Sequence, residues 1–277
     1  MSDSPRVWFI TGSSRGLGLA FTEAALTRGD SVVATARSPE ALDVLVKEHG
    51  DRVFPLSLDV TDRAAVSTAV DAALDRYGRI DIAVNNAGYG LRGAVEELSE
   101  TEARAQMEVN FFGALWVTQA VLAPMRTAGS GHIIQVSSMG GVIAFPALGL
   151  YHASKWALEG MTESLVQEVA PFGIKVTIIE PGGFRTDWSG SSMQHSTHLS
   201  EYEFLPGRAA GAPRRQSAGD PVKAAAALLT IVDDPDPPSR VLMGVMAFDL
   251  VQEAYHRRLA AWDRSKVLAR STEWTED

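Results

Sequence analysis

The chain has 277 residues, 45% of them hydrophobic and 21% charged, values ordinary for a globular protein that folds in water. Lys and Arg number 25 against 34 Asp and Glu, a net charge of −9, which argues against nucleic acid and anionic membrane as partners because both require basic surface. There is no cysteine, so disulfides and thiolate sites are excluded.

The N-terminal apolar run, 7–10, is too short for the core of a secretory signal, and no small-residue cleavage site follows it. No stretch approaches the roughly 18 apolar residues of a spanning helix. The expectation is a cytoplasmic protein folded as one domain over 1–277. Short β-branched runs at 6–11, 31–36, 53–58, 80–85, 132–137, 175–180 and 240–243 alternate with amphipathic patterns at 17–28, 39–48, 64–77, 102–125, 151–170 and 222–232. Such alternation predicts βαβ units with right-handed crossovers. The fold class is therefore α/β: a three-layer αβα, Rossmann-type, doubly wound parallel sheet of about seven strands. The segment 184–219 breaks the pattern. It shows no clear strand, is rich in Ser, Gly, His and Pro, and carries Phe184, Trp188, Tyr202, Phe204 and Leu205. It reads as a substrate-binding lid or as an irregular insertion. A terminal helix is expected over 247–270.

At the first strand, Thr11-Gly12-Ser-Ser14-Arg15-Gly16-Leu17-Gly18 runs from strand to turn to helix. Glycines there let the backbone approach a pyrophosphate, and a helix N-terminus offers N–H donors and partial positive charge. A glycine-rich turn is also an ordinary strand–helix connection; its place at the first strand of the series favours a dinucleotide site. After the second strand, where NAD enzymes place an acid for the ribose hydroxyl, stands Arg37. With Arg15 in the loop, it suits the 2′-phosphate of NADP(H). Tyr151 and Lys155 share a face if their segment is helical, and the ammonium is expected to lower the phenol's pKa toward neutrality. Ser138, thirteen residues earlier, can hydrogen-bond the same substrate oxygen. His152 is expected at a pocket rim or on the surface, since adjacent helical residues point apart. No His/Cys/Asp cluster has metal-ligand spacing, so no metal is expected.

In this order the motifs resemble the short-chain dehydrogenase/reductase family: the glycine turn at 11–18, Asp59-Val60, Asn85-Asn86-Ala87-Gly88, Asn110, Ser138, Tyr151-x-x-x-Lys155, Pro181-Gly182 and Thr186. The resemblance covers nearly the whole chain. It implies that Gly12, Ser14, Arg15, Gly16, Leu17 and Gly18 wrap the phosphates and adenosine ribose. Asp59 and Val60 would border the adenine, and Asn86, Ala87 and Gly88 the middle of the cofactor. Pro181, Gly182 and Thr186 would hold its nicotinamide end. Asn110 would kink its helix and hold a water that extends a proton path from Lys155. Asn110, Ser138, Tyr151 and Lys155 would be catalytic, with Tyr151 and Lys155 also against the cofactor. The implied reaction is hydride transfer between NADPH and a carbonyl carbon. Tyr151 acts as the acid, Ser138 stabilises the oxygen, and Lys155 tunes the phenol and binds the nicotinamide ribose. Met139, Phe145, Phe184 and Trp188, with Val142 and Leu148, form an apolar candidate wall that suits a lipophilic ketone or aldehyde. Three alternatives stand beside this reading: oxidation of a hydroxysteroid- or retinol-like alcohol, epimerisation by the same Tyr and Lys, and a non-catalytic NADP(H)-sensing protein. The resemblance also implies a homodimer or homotetramer built on the helices at 102–125 and 151–170.

Overall fold

A computed structural model describes residues 5–190, 192–205 and 218–274. Seven parallel strands form the central sheet in the order β3-β2-β1-β4-β6-β7-β9. They are β1 (Val7–Thr11), β2 (Ser31–Ala36), β3 (Val53–Ser57), β4 (Ile82–Asn85), β6 (Gly131–Val136), β7 (Ile174–Pro181) and β9 (Arg240–Met243). All of β1 is buried, as expected of a central parallel strand covered on both faces. Its side chains alternate: Trp8 and Ile10 enter the core on one side of the sheet, Phe9 the core on the other.

The first core is closed by α1 (Gly16–Arg28), α2 (Asp43–His49) and α7 (Pro221–Asp233), which contribute Phe21, Leu26, Leu45 and Leu228. The second is closed by α3 (Arg63–Tyr77), α5 (Gly113–Ala128) and α6 (Gly149–Val169), which contribute Val66, Val117, Val121 and Leu165. Truncating a fully buried ring such as Phe9 costs about 3–5 kcal/mol. Local signals set the helix ends. The Asp62 side chain accepts hydrogen bonds from the Ala64 and Ala65 N–H groups at the start of α3, and Gly29 ends α1 in the left-handed region with φ 100°. The sheet order reverses direction between β1 and β4, so a crevice opens beyond the carboxyl ends of these strands.

The structure revises several boundaries. The expected helix at 102–125 runs as α4 (Glu100–Met107), a π turn (Glu108–Phe112) and α5. A 3₁₀ turn (Pro39–Leu42) with Pro39 at its first position precedes α2. The segment expected to lack a strand contains β8 (Met193–His195), paired in parallel with β5 (Gly90–Arg92). Three residues with no β-branched member give no strand signal, and tertiary pairing supplies the order instead. Residues 206–217 of the expected lid lie outside the described residues. The terminal helix, α8, spans Val245–Arg270.

Candidate active site

The carboxyl ends of β1, β4, β6 and β7 carry the candidate residues to one edge of the sheet. Gly12 and Gly16 take φ of +70° and +61°. A Cβ on Gly18 would lie 2.2 Å from the Gly12 carbonyl oxygen and 2.3 Å from Asn86 Nδ2, so only glycine fits there. Asn86 braces this loop from β4: its Nδ2 donates to the carbonyls of Thr11 (2.9 Å) and Gly12 (3.1 Å). Thr11 Oγ1 in turn accepts the Asn86 and Ala87 N–H groups, both at 3.0 Å. The start of α1 has no side-chain cap and no acid in its first turn. Free N–H donors at an uncapped, acid-free helix start fit a dinucleotide pyrophosphate.

Arg15 and Arg37 are exposed, and among the described residues neither side chain makes an ion pair. Asp59 is exposed; its Oδ1 accepts the Thr61 N–H and hydroxyl, shaping the turn after β3. Val60 is buried against Gly113, where a Cβ would come within 2.6 Å of it. Thr186 approaches the glycine loop, 3.7 Å from where a Cβ on Gly16 would lie.

Ser138 follows β6 and caps a short 3₁₀ turn; its Oγ accepts the Gly140 N–H at 3.0 Å and donates to the Pro181 carbonyl at 3.5 Å. Tyr151 and Lys155 lie on the first two turns of α6, both buried. Lys155 Nζ donates to the Val136 carbonyl at 2.8 Å. Burial pushes the Tyr151 phenol up to about 12, with the Ser138 hydroxyl pulling the other way. Burial likewise brings the Lys155 ammonium down to about 8, against the attraction of Glu159. This corrects the expected tuning: desolvation governs the phenol, which keeps its proton at neutral pH.

Asn110 sits in the π turn. Its Nδ2 donates to the Tyr89 carbonyl (3.0 Å) and to Ser154 Oγ (3.1 Å), and its Oδ1 accepts the Tyr89 N–H (3.0 Å). Gly88 lies between Asn110 and Lys155; a Cβ there would be 3.1 Å from Asn110 Oδ1 and 3.6 Å from Lys155 Nζ.

The family described as short chain dehydrogenase matches residues 6–197. The chain belongs to that family. It is 49% identical to Oxidoreductase BOA17 of Botryotinia fuckeliana over 90% of this chain and 92% of that protein. The solved short-chain dehydrogenase from Streptomyces avermitilis is 41% identical, covers 99% of this chain and 100% of its own, and superposes with a TM-score of 0.92. A short chain dehydrogenase from Burkholderia cenocepacia, solved in complex with NADP, is 31% identical over 95% of this chain and 98% of its own, with a TM-score of 0.76. As a short-chain dehydrogenase the protein is an oxidoreductase acting on a CH–OH/C=O pair.

The apolar candidates of this short-chain dehydrogenase divide. Trp188 lies against Tyr151, ring centroids 5.1 Å apart. Met139, Val142 and Phe145 pack with Val251, Leu250 and Ala254 of α8. Phe184, half-buried, packs against the first core, its ring against Gly219. Leu148 immediately precedes α6 and bridges to Gly93.

His152 corrects a second expectation. It is buried rather than at a rim: its Nε2 accepts the Phe145 N–H at 3.0 Å, so Nδ1 carries the proton to the Gly140 carbonyl at 2.9 Å. One imidazole thus clamps both ends of the loop after Ser138. The residue before the clamp is Tyr151, and adjacency in sequence gave no hint of the shared task. Sequence reasoning also missed Ser154 beside Asn110, and Glu159. Glu159 is buried four residues after Lys155, and burial pushes its carboxyl up to about 7 beside Arg240. The i, i+4 spacing of Lys155 and Glu159 was the available signal.

Proposed function

We propose that the protein is an NADP(H)-dependent reductase of lipophilic ketones or aldehydes. The observation that carries this reading is the placement of the buried Tyr151 phenol one helical turn from the buried Lys155 ammonium, with Ser138 at the end of the neighbouring strand, at the sheet edge where the glycine loop opens. A phenol in this position can give its O–H proton to a carbonyl oxygen that is becoming an alkoxide, a far stronger base than the phenolate left behind. When bound, NADPH supplies the hydride to the carbonyl carbon.

The chain's own residues do the rest. The Tyr151 O–H gives its proton to the carbonyl oxygen as negative charge develops there, and Ser138 Oγ–H hydrogen-bonds the same oxygen. Lys155, with its ammonium brought down to about 8, exchanges protons close to neutral pH and replenishes the phenol. Asn110 holds the backbone at Tyr89 and so keeps Gly88 thin between itself and Lys155. The exposed Arg15 and Arg37, without an ion pair among the described residues and with no acid directly after β2, support the phosphorylated dinucleotide. Its solved relative from Burkholderia cenocepacia was crystallised with NADP. The Trp188 ring over Tyr151 favours an apolar substituent next to the carbonyl.

Titration of the purified protein with NADPH and NADH, followed by loss of reduced-nicotinamide absorbance with a panel of lipophilic ketones and aldehydes, tests the proposal. The expected result is tighter NADPH binding and substrate-dependent oxidation. Binding without turnover of any carbonyl in the panel, or no binding of either dinucleotide, overturns it.

A further inference from the structure

The C-terminal helix is seated on the body by its first half alone. Ala247 and Val251 are buried, and Ala254 and Arg258 half-buried, a row at spacings of four, three and four. Every residue from 259 to 274 is exposed. The last twelve helical residues, about 18 Å of helix at 1.5 Å per residue, therefore bury little against the rest of the described chain; Ala261 borders a cavity shared with Ile143 and Phe145. A helical segment of that length is marginal in water without tertiary contacts.

It is also not polar. Phe248, Tyr255, Leu259 and Trp262 are 53%, 41%, 54% and 64% exposed. They follow one another at seven, four and three residues and form one stripe beside the row that faces the body. Trp156 of α6, itself exposed, extends this patch onto the body. The Arg258 guanidinium lies 5.0 Å from its ring centroid and 5.3 Å from that of Tyr255.

Charge along α8 is polarised. Residues 245–256 carry Asp249 and Glu253 and no Lys or Arg. Residues 257–270 carry Arg257, Arg258, Arg264, Lys266 and Arg270 against Asp263 alone. An anionic membrane would repel the acidic half, and Lys266 interrupts the apolar stripe seven residues after Leu259, so a lipid surface fits poorly. An identical helix laid antiparallel fits well. Its basic half then meets the acidic half, and its seam of period 3.5 meets itself.

We propose that α8 pairs antiparallel with α8 of a second copy of this chain about a twofold axis near Arg257. In that arrangement Tyr255 of each copy packs on Leu259 of the other, Trp262 lies along Gln252, and Asp249 faces Lys266 and Arg270. The surface is self-complementary, so the contact closes at two copies. It rests on burial and charge and is independent of the catalytic reading.

Sedimentation of the full chain tests it, because the residues involved are exposed and their replacement leaves the core intact. Leu259→Ser with Trp262→Ser is expected to lower the associated mass twofold at concentrations where the parent is associated. Asp249→Lys alone, and Lys266→Asp with Arg270→Asp alone, are each expected to do the same. A one-to-one mixture of those two charge variants is expected to regain the parent's mass, since each supplies the complement the other lost. A parent that sediments as a monomer overturns the proposal, as do an unchanged mass in all variants and a mixture that fails to recover. If the Ser variants keep their mass but lose binding to phosphatidylglycerol vesicles, the stripe is a membrane face and the proposal falls.

Discussion

A phenol in water gives up its proton near pH 10; Tyr151, closed in beneath Trp188 and beside Ser138, holds it to about 12. The proposed chemistry depends on that one O–H. Tyr151→Phe is expected to lower kcat by about a hundredfold or more, the contribution of a positioned general acid, while NADPH affinity stays near the parent's. Stopped assays with fluorescence titration of the cofactor separate the two, and retained turnover contradicts the proposed role. Arg37 tests cofactor choice in the same way. Arg37→Asp removes a charge-assisted contact worth about 1.5–3 kcal/mol and offers a carboxylate in its place. The ratio of NADPH to NADH affinity is expected to fall about tenfold to a hundredfold. An unchanged ratio places the 2′-phosphate elsewhere.

Elements show where sequence was enough and where it was not. The seven sheet strands were legible as short β-branched or apolar runs set between helical patterns, most plainly Val7–Thr11, which is buried throughout. The glycine loop was legible because Gly18 tolerates no Cβ against Gly12 and Asn86. The helix cap at Asp62 has an equally local cause. Asp62→Ala is expected to destabilise the protein by about 1 kcal/mol, read as a lower denaturant midpoint with an unchanged slope. The small pair β5 and β8 was not legible, because its partners lie about a hundred residues apart and neither has strand propensity. His152 was misjudged for a related reason. Helical spacing alone turns adjacent residues apart, whereas the imidazole lies 5.8 Å from the Tyr151 ring, centroid to centroid, and only tertiary structure shows the loop it holds. The phenol's acidity was misjudged because spacing shows a neighbouring charge and hides desolvation.

At the scale of the molecule, buried titratable groups set the response to pH. His132 in β6 is neutral, its Nε2 against Thr177 Oγ1 at 3.0 Å; burial first, then Lys175 and Arg6, brings it down to about 4. The unfolded chain takes up a proton near pH 6.5 and the folded one only near 4, so stability is lost as pH falls between those values. Glu159, pushed up to about 7, acts with the opposite sign, losing stability as pH rises from its ordinary range. Comparison with His132→Gln isolates the histidine. The parent's stability relative to that variant is expected to fall by up to about 3 kcal/mol from pH 6.5 to 4, measured by chemical denaturation, and a flat difference contradicts the assignment. The π turn at Glu108–Phe112 has a different consequence, one of chain length. A π turn holds one residue more than an α-helix needs over the same span, so α4 and α5 are seated as if that residue were not there. Losing a residue of α4 swings all that follows by about 100° and unseats Gly113 from Val60. Losing Val109 instead lets the two helices merge with both ends in place, and the casualty is Asn110, drawn away from Tyr89 and Ser154. The fold can shed that residue; the site cannot.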